Sequence, residues 1–256
     1  MLSALRKQFE QQRADILKSA GTKSLRVKGY PNKKVTKADK RDYLAALVVW
    51  ASYDKSMAAA LAPIMFALIA ETGKSAMQEV NLDPSMFNPT SSSILDYYKR
   101  RADRIATDVN AETEKQLRAT LGQGIDAGES DEQLQARIEQ VMGAALTYRA
   151  ERIARTETTK AQGFADVQAW QQSGVVTGKE WYCVLDERTC PNCLALDGTI
   201  VQLDSDYYSL GDVVTNGGQT LNINYDDVGS PPLHVSCRCR LLPVTVPLDG
   251  SGDVSS

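Results

Sequence analysis

The chain has 256 residues, 43% of them hydrophobic, so it can bury a real core in one or two domains; a disordered tail or a collagen-like rod is excluded. Its formal net charge of −3 gives no global pull toward nucleic acid or anionic lipid. The single histidine rules out metal sites built from two or three histidines and most histidine-relay chemistry.

The charge is nevertheless polarised: residues 1–41 carry 12 basic against 3 acidic side chains, and residues 179–256 carry 4 against 11. The N-terminus turns charged before any apolar stretch develops. No secretory signal is expected there, and a reducing compartment that leaves the five cysteines as thiols or ligands is the default. Leu2, Leu5, Phe9 and Ile16 fall near helical spacing, which predicts a helix over residues 1–19 stopped by Gly21. The basic head that follows includes Lys28, Lys33, Lys34, Lys37, Lys40 and Arg41. It is either a solvated face or a docking surface for phosphate or an acidic partner.

Thr36-Lys-Ala-Asp39 resembles a capping box and predicts a long helix ending at Gly73. Met57 to Ala70 carries no charge, but Asp54, Lys55 and Pro63 interrupt the longer apolar span. A transmembrane helix needs about 20 continuous apolar residues, so a buried or oligomer-facing helix is expected and no membrane partner. Asn81 to Ser93, with Pro84 and Pro89, reads as a loop. Apolar and small residues at 94, 98, 102, 105, 109, 117 and 121 predict a helix broken near Thr113 and ended by Gly122-Gln-Gly124. Ser130-Asp-Glu-Gln133 predicts a capping box, and another helix should run from about Tyr148 to Gln172.

Past Gly178 short strands are expected around Trp181 to Val184, Gly198 to Leu203, Thr220 to Tyr225 and Val235 to Val246. The fold class is therefore α+β: a basic helical region over 1–90, a helical domain over 91–178, a small β-rich Cys/His module over 179–247 and a tail over 248–256.

That module holds Cys190-Pro-Asn-Cys193 and His234-Val-Ser-Cys237-Arg-Cys239, so the chain's only histidine shares a cluster with four of its cysteines. Two thiolates of a CxxC turn converge on one ion, and a thiolate-rich tetrahedral set is what structural zinc requires. The expected ligands are Cys190, Cys193 and Cys237, completed by His234 or Cys239, with Cys183 a packed strand residue apart from them. A redox pair, a disulfide and an open catalytic zinc are the competing readings. Asp186 and Arg188 flank the first turn and are expected to orient it.

Ala154-Arg-Thr-Glu-Thr158, Asp186-Glu-Arg-Thr-Cys-Pro-Asn-Cys193, Leu196-Asp-Gly198 and Pro231-Pro-Leu-His-Val-Ser-Cys-Arg-Cys239 together resemble the phage Mu protein F-like minor head proteins of tailed phages. The resemblance covers about the last third of the chain. It implies a structural, non-enzymatic virion component inside the head near the portal, present in few copies and active in head assembly, packaging or genome delivery. Host cytoplasm would be its location during assembly. The implied partners are the portal protein, capsid or scaffold proteins, and genomic DNA through the basic segment. Some relatives carry a C-terminal toxin domain, and none is expected from this tail. The alternatives are a metal-dependent nuclease or hydrolase with His234 or Asp186 beside the metal, and a zinc-ribbon adaptor unrelated to phage.

Overall fold

A computed structural model describes residues 1–22 and 50–245; the basic positions from Lys28 to Arg41, the Thr36–Asp39 helix start and the 248–256 tail lie outside them. Among the described residues, a helical body of five helices precedes small β-sheets. These helices are α1 (Leu2–Thr22), α2 (Trp50–Glu79), α3 (Ser92–Asp126), α4 (Asp131–Ala144) and α5 (Ala150–Ser173). A 3₁₀ turn (Pro84–Met86) lies in the predicted loop, and a π turn (Ala145–Arg149) leads into α5. The chain gathers into two compact units, Met1–Pro63 with Tyr97–Glu151 and Ile64–Asp96 with Arg152–Ser256.

In the first unit α1 buries Leu5, Phe9, Ile16 and Ala20, the stripe that 3.6-residue periodicity prescribes. It packs along α4, whose Leu134, Ile138 and Met142 are buried. A polar tie crosses this core. The Gln12 amide donates to Asn110 Oδ1 (2.8 Å) and the Asn110 amide donates to Asp54 Oδ1 (2.7 Å). Such a connected layer favours one helix register over its neighbours. The Ser130 capping box forms as expected, with Gln133 N–H on Ser130 Oγ (3.3 Å) and Ser130 N–H on Gln133 Oε1 (2.8 Å).

Two predicted helix ends are moved by packing. The α3 helix continues through Thr113 and Gly124 and stops at Asp126, with Gly128 at φ +74° just beyond. A Cβ on Gly124 would lie 2.5 Å from Glu129 Oε2 and 2.7 Å from Leu134 Cδ2. That glycine serves close approach rather than termination.

In the second unit α2 runs past Gly73 to Glu79. A Cβ on Gly73 would sit 2.2 Å from the Phe87 ring, so the helical glycine makes room for the loop that returns beneath it. Gly73→Ala is therefore expected to cost about 1–3 kcal/mol by overpacking, despite alanine's better helix propensity, and urea unfolding checks it. By length and composition alone α2 could cross a bilayer, with mean hydropathy 1.5 over its most apolar window. Met57 and Leu61, in the first unit, and Met65, Ile69 and Met77, in the second, are fully buried, while 39% of that window is buried in all.

The second unit also holds a three-stranded antiparallel sheet, ordered β2-β1-β5, from β1 (Gly178–Tyr182), β2 (Ile200–Gln202) and β5 (Arg240–Val244). A separate hairpin joins β3 (Val213–Asn216) to β4 (Gln219–Asn222) through Gly217 and Gly218, both at positive φ. Strand β3 was not anticipated, although Asn216-Gly-Gly is a hairpin turn signal. The predicted strand over Val235 to Val246 begins only at Arg240 among the described residues, because His234 to Cys237 forms a turn. Trp181 of β1 is fully buried, edge-on to Tyr207 at 5.0 Å between ring centroids. Helix α5 buries Ala154, Ala161, Ala165, Ala169 and Trp170; its small side chains let other segments approach closely. At Gly163, for example, a Cβ would meet Ser230 Oγ at 2.8 Å.

Asp166, also on α5, is pushed up to about 7 by burial and by the charge of Glu79, against the opposing pull of Arg240. The unfolded chain releases this proton near the ordinary 3.8 while the folded protein holds it, so this contribution to stability falls as pH rises from about 4 to 7. Asp166→Asn should stabilise the protein by about 2 kcal/mol at pH 8, discounted for the part of the side chain that reaches water, and by little at pH 4. Denaturant midpoints at the two pH values test this. An equal effect at both would refute it.

A candidate metal centre of two Cys/His turns

The first turn is the N-terminus of α6 (Pro191–Leu194), a single helical turn for which Cys190 is the cap and Pro191 the first residue. Cys193 N–H donates to Cys190 Sγ (3.2 Å), which closes the turn. Buried Asn192 braces the turn from behind. Its amide donates to Gln219 O (3.2 Å), its oxygen accepts from the Asn216 amide (3.0 Å), and Gly217 leaves room for Pro191. Sequence reasoning missed Asn192, because nothing local shows that the hairpin folds back on it.

The second turn closes with Cys237 N–H on His234 O (3.1 Å) and holds Ser236 at φ +64°, unusual for a residue with a Cβ. The Ser236 N–H bonds Thr156 Oγ1 (3.2 Å), so the Ala154–Thr158 motif on α5 acts as an anchor for this turn. The Asp186 carboxylate and the Arg238 guanidinium form a two-pronged ion pair, with Nη1 to Oδ2 at 2.6 Å, which ties the loop before the first turn to the second. The pair holds the Asp186 carboxyl well below the ordinary carboxylate range. Asp186 thus takes the orienting role expected of it, with Arg238 as its partner; the Arg188 side chain does not share that role, since only its backbone N–H bonds Asp186 (2.9 Å) and its exposed guanidinium faces Glu187 (3.9 Å).

Together these turns bring the sequence-predicted ligands into two adjoining groups that share Cys193. His234 Nε2 lies 3.1 Å from Cys190 Sγ and 3.2 Å from Cys193 Sγ, and Cys193 Sγ lies 3.8 Å from Cys237 Sγ. Two groups, Cys190 with Cys193 and His234, and Cys193 with Cys237 and Cys239, each have their donor atoms mutually within 4.8 Å and could hold a metal ion. Cys237 and Cys239 fall within the strand predicted over Val235 to Val246, but both precede β5. Cys183 also needs correction. It is buried just past β1, but it joins the cluster, its sulfur 3.2 Å from Cys239 Sγ and donating to Cys193 O (3.0 Å). With only protons to share, Cys239 takes the negative charge: hydrogen bonds from Cys193 and Cys237 lower it to about 3, while burial pushes Cys183 up.

The groups proposed for hydrolysis are engaged elsewhere. His234 Nδ1 faces Val235 O (2.9 Å), a carbonyl that can only accept, so Nδ1 carries the proton and the Nε2 lone pair points among sulfurs. Both Asp186 oxygens are held by Arg238.

The geometry defines a small antiparallel sheet closed by a buried Cys/His double turn and anchored on a helix. A family model described as Phage Mu protein F like protein matches residues 115–242, half of the chain and all of this site. The chain belongs to that family, a family of structural phage head morphogenesis proteins. No curated protein and no solved structure gives a significant match.

Proposed function

We propose that the protein is a minor, non-enzymatic head protein of a tailed phage, seated inside the head near the portal and acting in head assembly and in genome packaging or ejection. What carries this reading is the coincidence of the family match with the clipped module and its helix anchor. The engagement of His234 and Asp186 supports a structural site over the nuclease or hydrolase alternative.

The cofactor in this reading is zinc. Sulfurs about 2.3 Å from a tetrahedral ion lie about 3.8 Å apart, the spacing of Cys193 and Cys237. The partners are the portal protein, neighbouring capsid or scaffold proteins, and genomic DNA. They are reached through Lys28, Lys33, Lys34, Lys37, Lys40 and Arg41, where the chain concentrates positive charge.

Replacing those six residues with glutamine should abolish salt-dependent association with portal protein and incorporation into heads, leaving zinc content unchanged. Normal incorporation of the variant would overturn the docking role. Cleavage of DNA by the purified metal-loaded protein, lost in His234→Ala, would favour the hydrolytic alternative.

A further inference from the structure

The centre offers five donors, four thiols and one imidazole, one more than a tetrahedral ion takes, and a fifth thiol, Cys183, at its edge. Building on the zinc reading above, we propose that the ion is held by Cys190, Cys193, His234 and Cys237. Cys239 and Cys183 then form a separate sulfur pair that supports the site without ligating.

Three observations select this set. First, the two turns share one pattern: a donor at the first position, a donor at the fourth, and a hydrogen bond from the fourth residue's N–H back to the first residue. Cys190-Pro-Asn-Cys193 and His234-Val-Ser-Cys237 both fit it, and Cys239 lies two residues past the second turn, at the entrance to β5.

Second, the His234 ring presents one lone pair, on Nε2, to two sulfurs at 3.1 and 3.2 Å. One lone pair accepts one S–H proton. A second sulfur at the same distance is accommodated when a cation lies among the three atoms. The Nδ1–H bond to Val235 O is the support that fixes a ligating imidazole in the correct tautomer.

Third, Cys239 has another sulfur partner. Its contact with Cys183 is 3.2 Å, and Cys183 also reaches the Cys193 carbonyl. The Trp181 indole N–H is buried beside these two sulfurs and has no oxygen or nitrogen partner. The pair thus joins β1 to the first turn by sulfur hydrogen bonds.

The test uses the full chain, with zinc content by elemental analysis and cobalt(II) absorption as a count of sulfur ligands. Cys239→Ser and Cys183→Ser are expected to retain one ion per chain with an unchanged cobalt spectrum. Cys190→Ser and Cys237→Ser should lose the ion to a competing chelator. His234→Cys keeps a ligand in place should the alanine variant fail to fold. It should retain the ion and shift the cobalt charge-transfer bands toward an all-sulfur site. Loss of the ion from Cys239→Ser, or an unchanged cobalt spectrum in His234→Cys, overturns the assignment while leaving the zinc reading intact. A wild-type chain that binds no ion overturns the zinc reading and this assignment with it.

Discussion

With zinc in the site as proposed, stripping it from the purified protein, or replacing Cys190 with serine, is expected to unfold the strand-rich part of the chain while leaving most of the helical signal in place. Among the described residues the strands are three to five residues long and the sheet has three of them, so hydrogen bonding and burial alone hold it weakly. A structural zinc site contributes binding energy directly to folding, about 10–16 kcal/mol in small zinc modules at neutral pH. Four or five thiols crowded together without an ion would repel as thiolates or desolvate as neutral groups. The check combines zinc stoichiometry with Trp fluorescence and far-ultraviolet circular dichroism. About one zinc per chain, lost together with the buried-tryptophan signal, is the expected result. An intact fold without metal would mean that the cluster is packing or redox chemistry, and the function would then rest on family membership alone.

The second large effect is expected from Trp181→Ala. This side chain is fully buried in the central strand, stacks edge-on against Tyr207, and lies beside the Cys183 and Cys239 sulfurs. Truncation removes the largest buried group of the sheet and opens a cavity that the clipped loops resist filling, for a loss of about 3–5 kcal/mol. Trp181→Phe retains an aromatic contact but loses the five-membered ring with its N–H, so its loss should be smaller, about 1–2 kcal/mol. Urea unfolding of both variants gives the comparison. A loss below 1 kcal/mol for the alanine variant would show that the sheet does not depend on this packing.

Much of the molecule was legible in one dimension because its signals are local. The α1 stripe is written in Leu5, Phe9 and Ile16, and the Ser130–Gln133 box in four consecutive residues. The two Cys/His clusters declared their chemistry by composition and i,i+3 spacing, which is set by a single turn of backbone. The family motifs were readable for the same reason, and the match over residues 115–242 bears the resemblance out.

Other features depend on segments that meet only after folding. Gly73 and Gly124 read as helix stops, yet each lies inside a helix because Phe87 in one case and Glu129 with Leu134 in the other need the missing Cβ volume. Asn192, unremarkable between two cysteines, acquired its role when the β3–β4 hairpin folded back onto it. Cys183 stood apart in the chain and came to rest against Cys239, 56 residues away, because β1 and β5 are paired strands. Sequence therefore determined the helices, the donor types and the family, through propensity, periodicity and turn spacing. Tertiary structure alone decided which sulfurs meet the histidine, which glycines are contacts and which loop the Asp186–Arg238 pair locks. Those outcomes depend on distances between residues far apart in sequence, and only strand pairing and close packing determine them.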